Sequence, residues 1–463
     1  MGSGDIHFRL DHAAFRSGAG TTESEFYLEI DHDELAFRKE GDRHRARIEL
    51  SLEFYRTGRK LETKSYPLDF WERDPEAVTS SAHTQVLQLR VAPPAETDSV
   101  HASVEDRNAR KSGLFHVFTQ SRRAGQAGAV LRLRHFPEAD LSISDLEFAR
   151  SASRQGEEPT FLKSGVADLG LEVEPNPGRV YGAVNRMGVT YLEVYDLTES
   201  AVEGRRKYQL HYRLRDLDGK EIRSWMHTLS SQSSTWIDTT SFDLSGVPAG
   251  TYSLGVVVRQ EAGGGRAAVD ASFDVLWAAS NWVRWLLETE AIIPFLIQGE
   301  EQDRFLALGP GARERYIEAF WTRHDPTPGP GNATREEFDR RVDYANANFT
   351  TNIEPGMRTD RGRVYIKYGE ADEIRREVVP VQGNDLNAAL DELDRGTGGD
   401  LRGARAIAPE DSRAFEVWIY DYRGEELFPS KQLSTGIGRQ FVFVDDLGIG
   451  EFRLIRSSEK SDF

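Results

Sequence analysis

Cysteine is absent from all 463 residues, which removes disulfides, thiolate metal sites, cysteine nucleophiles and lipid attachment at cysteine. No apolar run reaches the roughly 18 to 20 residues a membrane-crossing helix needs, the longest being Ala291-Ile292-Ile293-Pro294-Phe295-Leu296-Ile297. The opening Met1-Gly2-Ser3-Gly4-Asp5 has neither the basic nor the apolar stretch of a signal peptide. Signatures of catalysis are missing as well. There is no Gly-x-Ser-x-Gly, P-loop or His-Glu-x-x-His, and Gly436-Ile437-Gly438-Arg439-Gln440-Phe441 lacks the third glycine and following helix of a dinucleotide site. No cofactor is implied. Positive charge is in short supply: the net charge is -18 and only ten of the 58 basic residues are lysine. Phosphate recognition depends on basic surface that releases counterions, so nucleic acid is excluded as the expected partner.

What is present suits packed cores. The chain is 38% hydrophobic and 29% charged, and its length predicts several domains. Short segments such as Glu25-Phe26-Tyr27-Leu28-Glu29-Ile30 and Ala46 to Phe54 alternate apolar and polar residues, the pattern of antiparallel strands with one face on a core and the other in water. Thr84 to Val91 and Ala129 to His135 repeat it, and the polar stretch from Arg150 to Thr160 reads as a linker. A second strand-rich block follows. Tyr208 to Leu214 and Glu221 to His227 flank an Asp-Gly turn at Asp218-Gly219, a hairpin signal. Gly250-Thr251-Tyr252-Ser253-Leu254 opens a strand as in many immunoglobulin-like sandwiches, and a last hairpin spans Ala262-Gly263-Gly264-Gly265.

After Trp277 the period becomes helical. One helix carries Trp282, Trp285, Leu286, Ile292 and Ile293 behind a Ser280 or Asn281 cap, and a second starts at Pro310. A third opens with the capping-box spacing Thr334-Arg335-Glu336-Glu337. A short helix with Leu386, Leu390 and Leu393 is expected within 380 to 412. Strands are expected at Arg363 to Tyr368, Ala414 to Tyr422, Gln440 to Val444 and Glu451 to Ile455. The predicted architecture is multidomain: an antiparallel β-sandwich over 1–152, an immunoglobulin-like antiparallel β-sandwich over 153–277, and an α+β domain over 278–463.

Within the last block, Phe320-Trp321-Thr322-Arg323-His324-Asp325-Pro326 and Gly356-Met357-Arg358-Thr359-Asp360-Arg361-Gly362 are followed by Phe441-Val442-Phe443-Val444-Asp445 and Gly450-Glu451-Phe452-Arg453-Leu454. This set resembles the GWxTD-domain family of bacterial proteins over about residues 278 to 458, with Met357 where the family has Trp. The resemblance implies tandem sandwiches ahead of the module, an extracytoplasmic surface or envelope location, periplasmic or extracellular, and no established activity. The cytoplasm is the alternative location.

The motif residues Gly356, Met357, Thr359, Asp360 and Gly362 read first as a turn, the Asp360 carboxylate accepting backbone N–H groups and Gly362 relaxing the chain before a strand. Asp360, Asp325 and Glu337 together would offer carboxylates for acid–base work or a metal, and His324 an acid–base imidazole, although His324-Asp325-Pro326 reads first as a helix stop. Asp31-His32-Asp33-Glu34 offers metal-ligand types but reads as a charged turn, because adjacent side chains point apart. No metal site is expected. Trp282, Trp285, Trp321 and Trp418 read as core, with an aromatic binding groove as the alternative. The sequence therefore points to a non-enzymatic interaction or scaffolding protein, in particular a peripheral subunit of a larger membrane-bound assembly without a transmembrane segment of its own. A carboxylate-dependent hydrolase or sugar-active enzyme, and a glycan- or peptide-binding module, are the other readings.

Overall fold

The computed structural model describes residues 3–458 except 18–20, 95, 111–121, 131–133, 135, 137–139, 155–160, 162, 164–170, 200–204, 262–263, 327–328, 330, 378–412, 425, 429–437 and 447. The fold is β-rich, with strands in several sheets and, among the described residues, α-helices after residue 281. The chain divides into two compact units, Met1–Ala291 with Asp303–Arg315, and Ile292–Gln302 with Tyr316–Phe463.

Among the described residues the larger unit contains four sheets. Sheet I is built on strand Arg43–Arg56, where Ala46, Ile48, Leu50, Leu52 and Phe54 are buried and the residues between them are not. That period of two is what puts every second side chain on one face of a strand. Its hairpin partner Arg59–Glu72 returns through Thr57 and Gly58, with φ of 48° and 75°. Positive φ at both central residues is the tight turn whose twist matches that of paired strands. Sheet II comprises Phe8–Ser17, Thr21–Asp31 and Thr84–Val91. Phe8, Phe26, Leu28 and Ile30 of sheet II meet the apolar face of sheet I in one core.

Sheet III joins Ser142–Ile143, Met187–Tyr195, Glu147–Arg154 and Leu171–Pro175, with Trp236–Asp243 on Met187–Tyr195. Sheet IV orders Val180–Gly182, Arg266–Leu276, Gly250–Gln260, Arg206–Asp216 and Glu221–Ser231. Its expected hairpin at Asp218-Gly219 forms, with Gly219 at φ 78° and the Asp216 carboxylate accepting the N–H groups of Asp218 and Lys220. The sheet is not purely antiparallel, because Val180–Gly182 runs parallel to Arg266–Leu276. Sheets III and IV enclose a second core containing Phe148, Leu192, Tyr212, Leu254 and Phe273.

Two expectations change here. The stretch Arg150–Thr160 is not all linker: residues 150–154 belong to strand Glu147–Arg154, which pairs with Leu171–Pro175 and Met187–Tyr195, while 155–160 lie outside the described residues. The expected seam at 152 thus falls inside a strand of sheet III. The alternating segment from Glu25 to Ile30 is also not half-exposed. Its second face, carrying Glu25, Tyr27 and Glu29, is buried, and Tyr27 packs with Ala13, Phe15, Ala149, Val173, Val189 and Tyr191. Sheet III covers the polar face of sheet II, so acids that were expected in water are held by bonds across the seam.

Bonds within sheet II and across the seam form a layer of buried charge. Arg9 lies 3.0 Å from Glu29 and 2.5 Å from Asp31. Arg150 also pairs with Glu29, and Arg179 grips Asp11 through two bonds of 2.6 and 2.7 Å. Burial alone would lower the Arg9 pKa, but Glu29 and Asp31 outweigh it and hold the guanidinium charged.

After sheet IV the chain turns helical, and helix α1 (Trp282–Leu296) begins behind Asn281, whose Oδ1 accepts the Arg284 N–H at 3.0 Å. Helix α2 (Glu300–Leu306) was not expected, whereas α3 (Pro310–Arg323) starts at the anticipated proline. Helix α4 (Ala333–Phe349) is capped by Asn332 rather than Thr334, its side chain accepting the Arg335 N–H at 2.9 Å. The residues Arg363 to Tyr368 are helix α5 (Asp360–Tyr368), not a strand. Gly369, at φ 78°, closes it by donating its N–H to Tyr365 O at 2.7 Å. Sheet V orders Glu373–Glu377, Phe415–Tyr420, Arg439–Asp445 and Phe452–Ser457, and packs Trp418, Tyr420, Phe441 and Phe443 on Val364, Tyr365 and Tyr368 of α5. The helix expected around Leu386, Leu390 and Leu393 lies outside the described residues. Among the described residues no helix is long and apolar enough to cross a membrane.

Because Arg9 faces two acids inside the larger unit, Arg9→Met removes the cation from buried Asp31 and leaves Glu29 with Arg150 alone. We expect it to cost about 3 to 5 kcal/mol of that unit's stability, read as a lowered transition in calorimetry; an unchanged transition would show that the layer is not ionic.

Candidate functional site

The motif from Gly356 to Gly362 sits where two backbones touch. After α4 the chain turns through a single 3-10 turn, Gly356–Arg358, into α5. A Cβ on Gly356 would lie 1.9 Å from the Ala345 carbonyl oxygen of α4, and one on Gly362 would lie 1.8 Å from the Gly356 oxygen. No side chain fits at either position, so both glycines are required by close approach. Thr359 caps α5: its Oγ1 accepts the Gly362 N–H at 3.1 Å and donates to Gly356 O at 2.8 Å. The turn is therefore closed by Thr359, not by the Asp360 carboxylate. Asp360 reaches out to accept the Leu454 N–H at 2.8 Å, tying the first turn of α5 to strand Phe452–Ser457. Met357 is buried, and its N–H donates to Asn346 Oδ1 at 2.9 Å. Each named motif residue thus has an assignable part in a joint between α4, α5 and sheet V.

Next to the joint, Glu416 is 1% exposed. It lies 2.7 Å from Arg376 and 3.3 Å from Arg361, and accepts the Trp418 indole N–H at 3.0 Å. Arg361 lies over the Phe452 and Phe349 rings, and burial lowers its pKa despite the pull of Glu416. Glu337 is held by Arg340 and Arg341, whose bonds bring its carboxyl down to about 2. His324 presents Nδ1 to Phe320 O at 2.8 Å, with its ring centre 4.2 Å from that of Phe320 and 5.5 Å from that of Phe428. Asp325 follows, half-buried, beyond the end of α3. The suggested set of Asp360, Asp325 and Glu337 is not assembled as a metal site, and among the described residues no three His, Asp or Glu side chains are placed to hold an ion. The quartet at 31–34 disperses likewise: Asp31 to Arg9, His32 to the Ala77 carbonyl, Glu34 to His7. Of the four tryptophans, Trp321 and Trp418 are buried, Trp285 is half-buried, and Trp282, also half-buried, lies under the Arg9 guanidinium.

Two features of the larger unit have no local signature in the sequence. One is a concavity of about 270 Å³ on the outer face of sheet IV, lined by Arg213, Arg215, Arg266, Asp270 and the strand backbone at Gly255. Arg213 comes no closer than 4.0 Å to Glu221, and among the described residues Arg215, Arg259 and Arg266 have no acidic partner. Strand register brings them together: Arg213 is opposite Gly255, Gly255 opposite Asp270, and Arg259 opposite Arg266. The other is Lys163, buried at the seam of sheets II and III. Its Nζ is 2.5 Å from Glu25 and 2.5 Å from Glu147, and 5.1 to 5.2 Å from the ring centres of Phe15, Tyr27 and Tyr191. Glu25 and Tyr27 are 138 and 136 residues away in the chain and Glu147 lies in another strand, so nothing around position 163 announces it.

No family model matches the chain, and no curated protein matches it. Among solved structures, Bacteroides uniformis beta-glucuronidase 2 matches at 9% identity and a TM-score of 0.19, over 60% of this chain and 32% of that one. A putative beta-galactosidase from Bacteroides fragilis matches at 11% identity and 0.16, over 56% and 33%. The Bifidobacterium dentium beta-glucuronidase matches at 10% and 0.16, over 59% and 48%. The matched regions span under half of each of those chains.

Gly362→Ala should force α5 away from the turn and destabilise the smaller unit at the upper end of the about 1 to 3 kcal/mol typical of overpacking. Asp360→Asn, which keeps an acceptor for Leu454, should lose about 1 kcal/mol or less; urea denaturation followed by tryptophan fluorescence measures both. Glu337 titrates lower in the folded state than its ordinary value of 4.5. Its contribution is therefore complete above that value and lost as pH falls toward 2, so Glu337→Gln should flatten the acid limb of the stability curve in that window.

Proposed function

We propose that this chain is a non-enzymatic interaction or scaffolding protein of the GWxTD type, docking as a peripheral subunit on a larger envelope or membrane-bound assembly outside the cytoplasm. In this reading the two sandwiches are immunoglobulin-like supports, and the motif from Gly356 to Gly362 is a folding joint.

The observation that carries the interaction reading is the arginine-lined concavity on sheet IV. The chain carries a net charge of -18, and most of the described arginines elsewhere in the larger unit face an acid. Among the described residues Arg215, Arg259 and Arg266 do not. Guanidinium groups make planar, forked bonds to carboxylates, so unpaired ones around a shallow recess suit an acidic segment of another protein. The adjoining edge strand Glu221–Ser231 exposes Ile222 and Met226, and the turn before it exposes Leu217, which offers apolar contact beside the charges. The carboxylate-dependent reading has less support, because Asp360 and Glu337 are engaged by a backbone N–H and by arginines.

Purification from native envelope fractions should recover the wild-type chain in a complex of fixed stoichiometry. The charge-reversed pair Arg213→Glu and Arg266→Glu, with an unchanged melting transition, should elute alone. Recovery of the wild type only as free monomer would overturn the proposal.

A further inference from the structure

We propose that Lys163 and Glu147 are joined by an intramolecular isopeptide bond, formed with Glu25 as the base that takes the lysine proton. The proposal goes beyond the interaction reading and does not depend on it.

Three independent features converge on one amine. The first is exclusion of water: the side chains of Lys163, Glu25 and Glu147 are 2%, 3% and 0% exposed. The second is contact, with Nζ 2.5 Å from an oxygen of each carboxyl group. The third is the wall of Phe15, Tyr27 and Tyr191, which completes an apolar enclosure around the nitrogen. The backbone on both sides is fixed. Glu147 is in a strand of sheet III, and Lys163 donates its N–H to Leu171 O of the neighbouring strand at 3.3 Å.

The two acids are not equivalent. Glu25 has other donors, the Tyr27 hydroxyl at 2.8 Å and Arg90 at 3.2 Å, and the cations around it outweigh its burial and keep it ionised. Among the described residues Glu147 has Lys163 as its one cation, and neither of its oxygens receives a well-aligned hydrogen bond. Burial raises its carboxyl to about 7, so at neutral pH a large share carries the proton. One group is thus placed as base and the other as a neutral acid open to attack.

The step balances without any co-reactant. Glu25 takes one proton from the Lys163 ammonium, and the freed Nζ attacks Cδ of protonated Glu147. The Nζ–Cδ bond forms, the Cδ–hydroxyl bond breaks, and the hydroxyl leaves as water with a second proton from Nζ. The products are the amide, one water and protonated Glu25. In bulk water the acid and amine would remain a salt. Here the reacting atoms are held in contact, where effective molarities of about 10⁵ M or more become available. The reaction also removes two buried charges, the Lys163 ammonium and the Glu25 carboxylate, relieving part of the desolvation cost.

Intact-mass spectrometry of the denatured full chain tests this directly. We expect a species one water lighter than the sequence requires, and a branched peptide containing Lys163 and Glu147 after digestion. Lys163→Arg, which keeps the charge but not the nucleophile, should have its full sequence mass, and Glu25→Gln should accumulate the light species more slowly. A wild-type chain at full sequence mass after prolonged incubation at neutral pH overturns the proposal, as does a water loss mapped to other residues. Neither outcome depends on a variant folding.

Discussion

Neutralising the charges between sheets II and III is the constraint on which the larger unit depends. Each sheet supplies a face that an isolated sandwich would turn to water, and each face carries acids. Pressing them together removes Glu25, Glu29, Asp31, Glu147 and Glu193 from solvent, which is affordable only where a cation or hydroxyl meets each one. Arg9, Arg150 and Lys163 meet the first four, and Tyr191 and Tyr195 donate to Glu193 at 2.5 and 2.8 Å. Shape alone would allow the sheets to slide; a lattice of specific pairs does not. A one-residue slip of Thr21–Asp31 would exchange Glu25, Tyr27 and Glu29 for Phe26, Leu28 and Ile30 and empty both cores.

The smaller unit relies on a different device. Its joint is made of backbone, with Gly356 against α4 and Gly362 against Gly356, and the side chains of Thr359 and Asp360 fasten the result at either end. Glycine, threonine and aspartate at these spacings suggest a loop that could carry chemistry. The same residues are also what a crowded helix entry needs: absent side chains where carbonyls approach, a hydroxyl to cap, and a carboxylate near the positive end of the helix.

Local signals were legible where local chemistry decides. The Asp218-Gly219 hairpin, the Gly250 to Leu254 strand, the proline start of α3 and the last three strands of sheet V follow from turn residues and periodicity over a few positions, whereas Glu373–Glu377 does not. Arg363 to Tyr368 misled because six residues that alternate in polarity also fit a helix buried on one side. The decisive signs are caps: Thr359 before it, which also suits a turn, and Gly369 after it. The burial of Glu25 and Glu29 was hidden for another reason. Alternation reports that two faces differ, not what covers the second, and the covering strands lie more than a hundred residues away. Lys163 is the extreme case, since its surroundings are assembled from strands of two sheets and a loop. The arginines around Gly255 are visible in sequence only as the ordinary outward residues of three strands.

The covered face of sheet II also bears on how the protein can be divided. A fragment ending after sheet II would present Phe15, Tyr27 and a row of acids to water, without Lys163, Arg150 or Arg179 to balance them. One beginning at sheet III would carry Lys163 and Glu147 with half of their enclosure gone. Neither half holds a complete set of partners, so the first four sheets belong to one cooperative transition. A protease would find its productive cut within the exposed turns of that block, not at a hinge between independent beads.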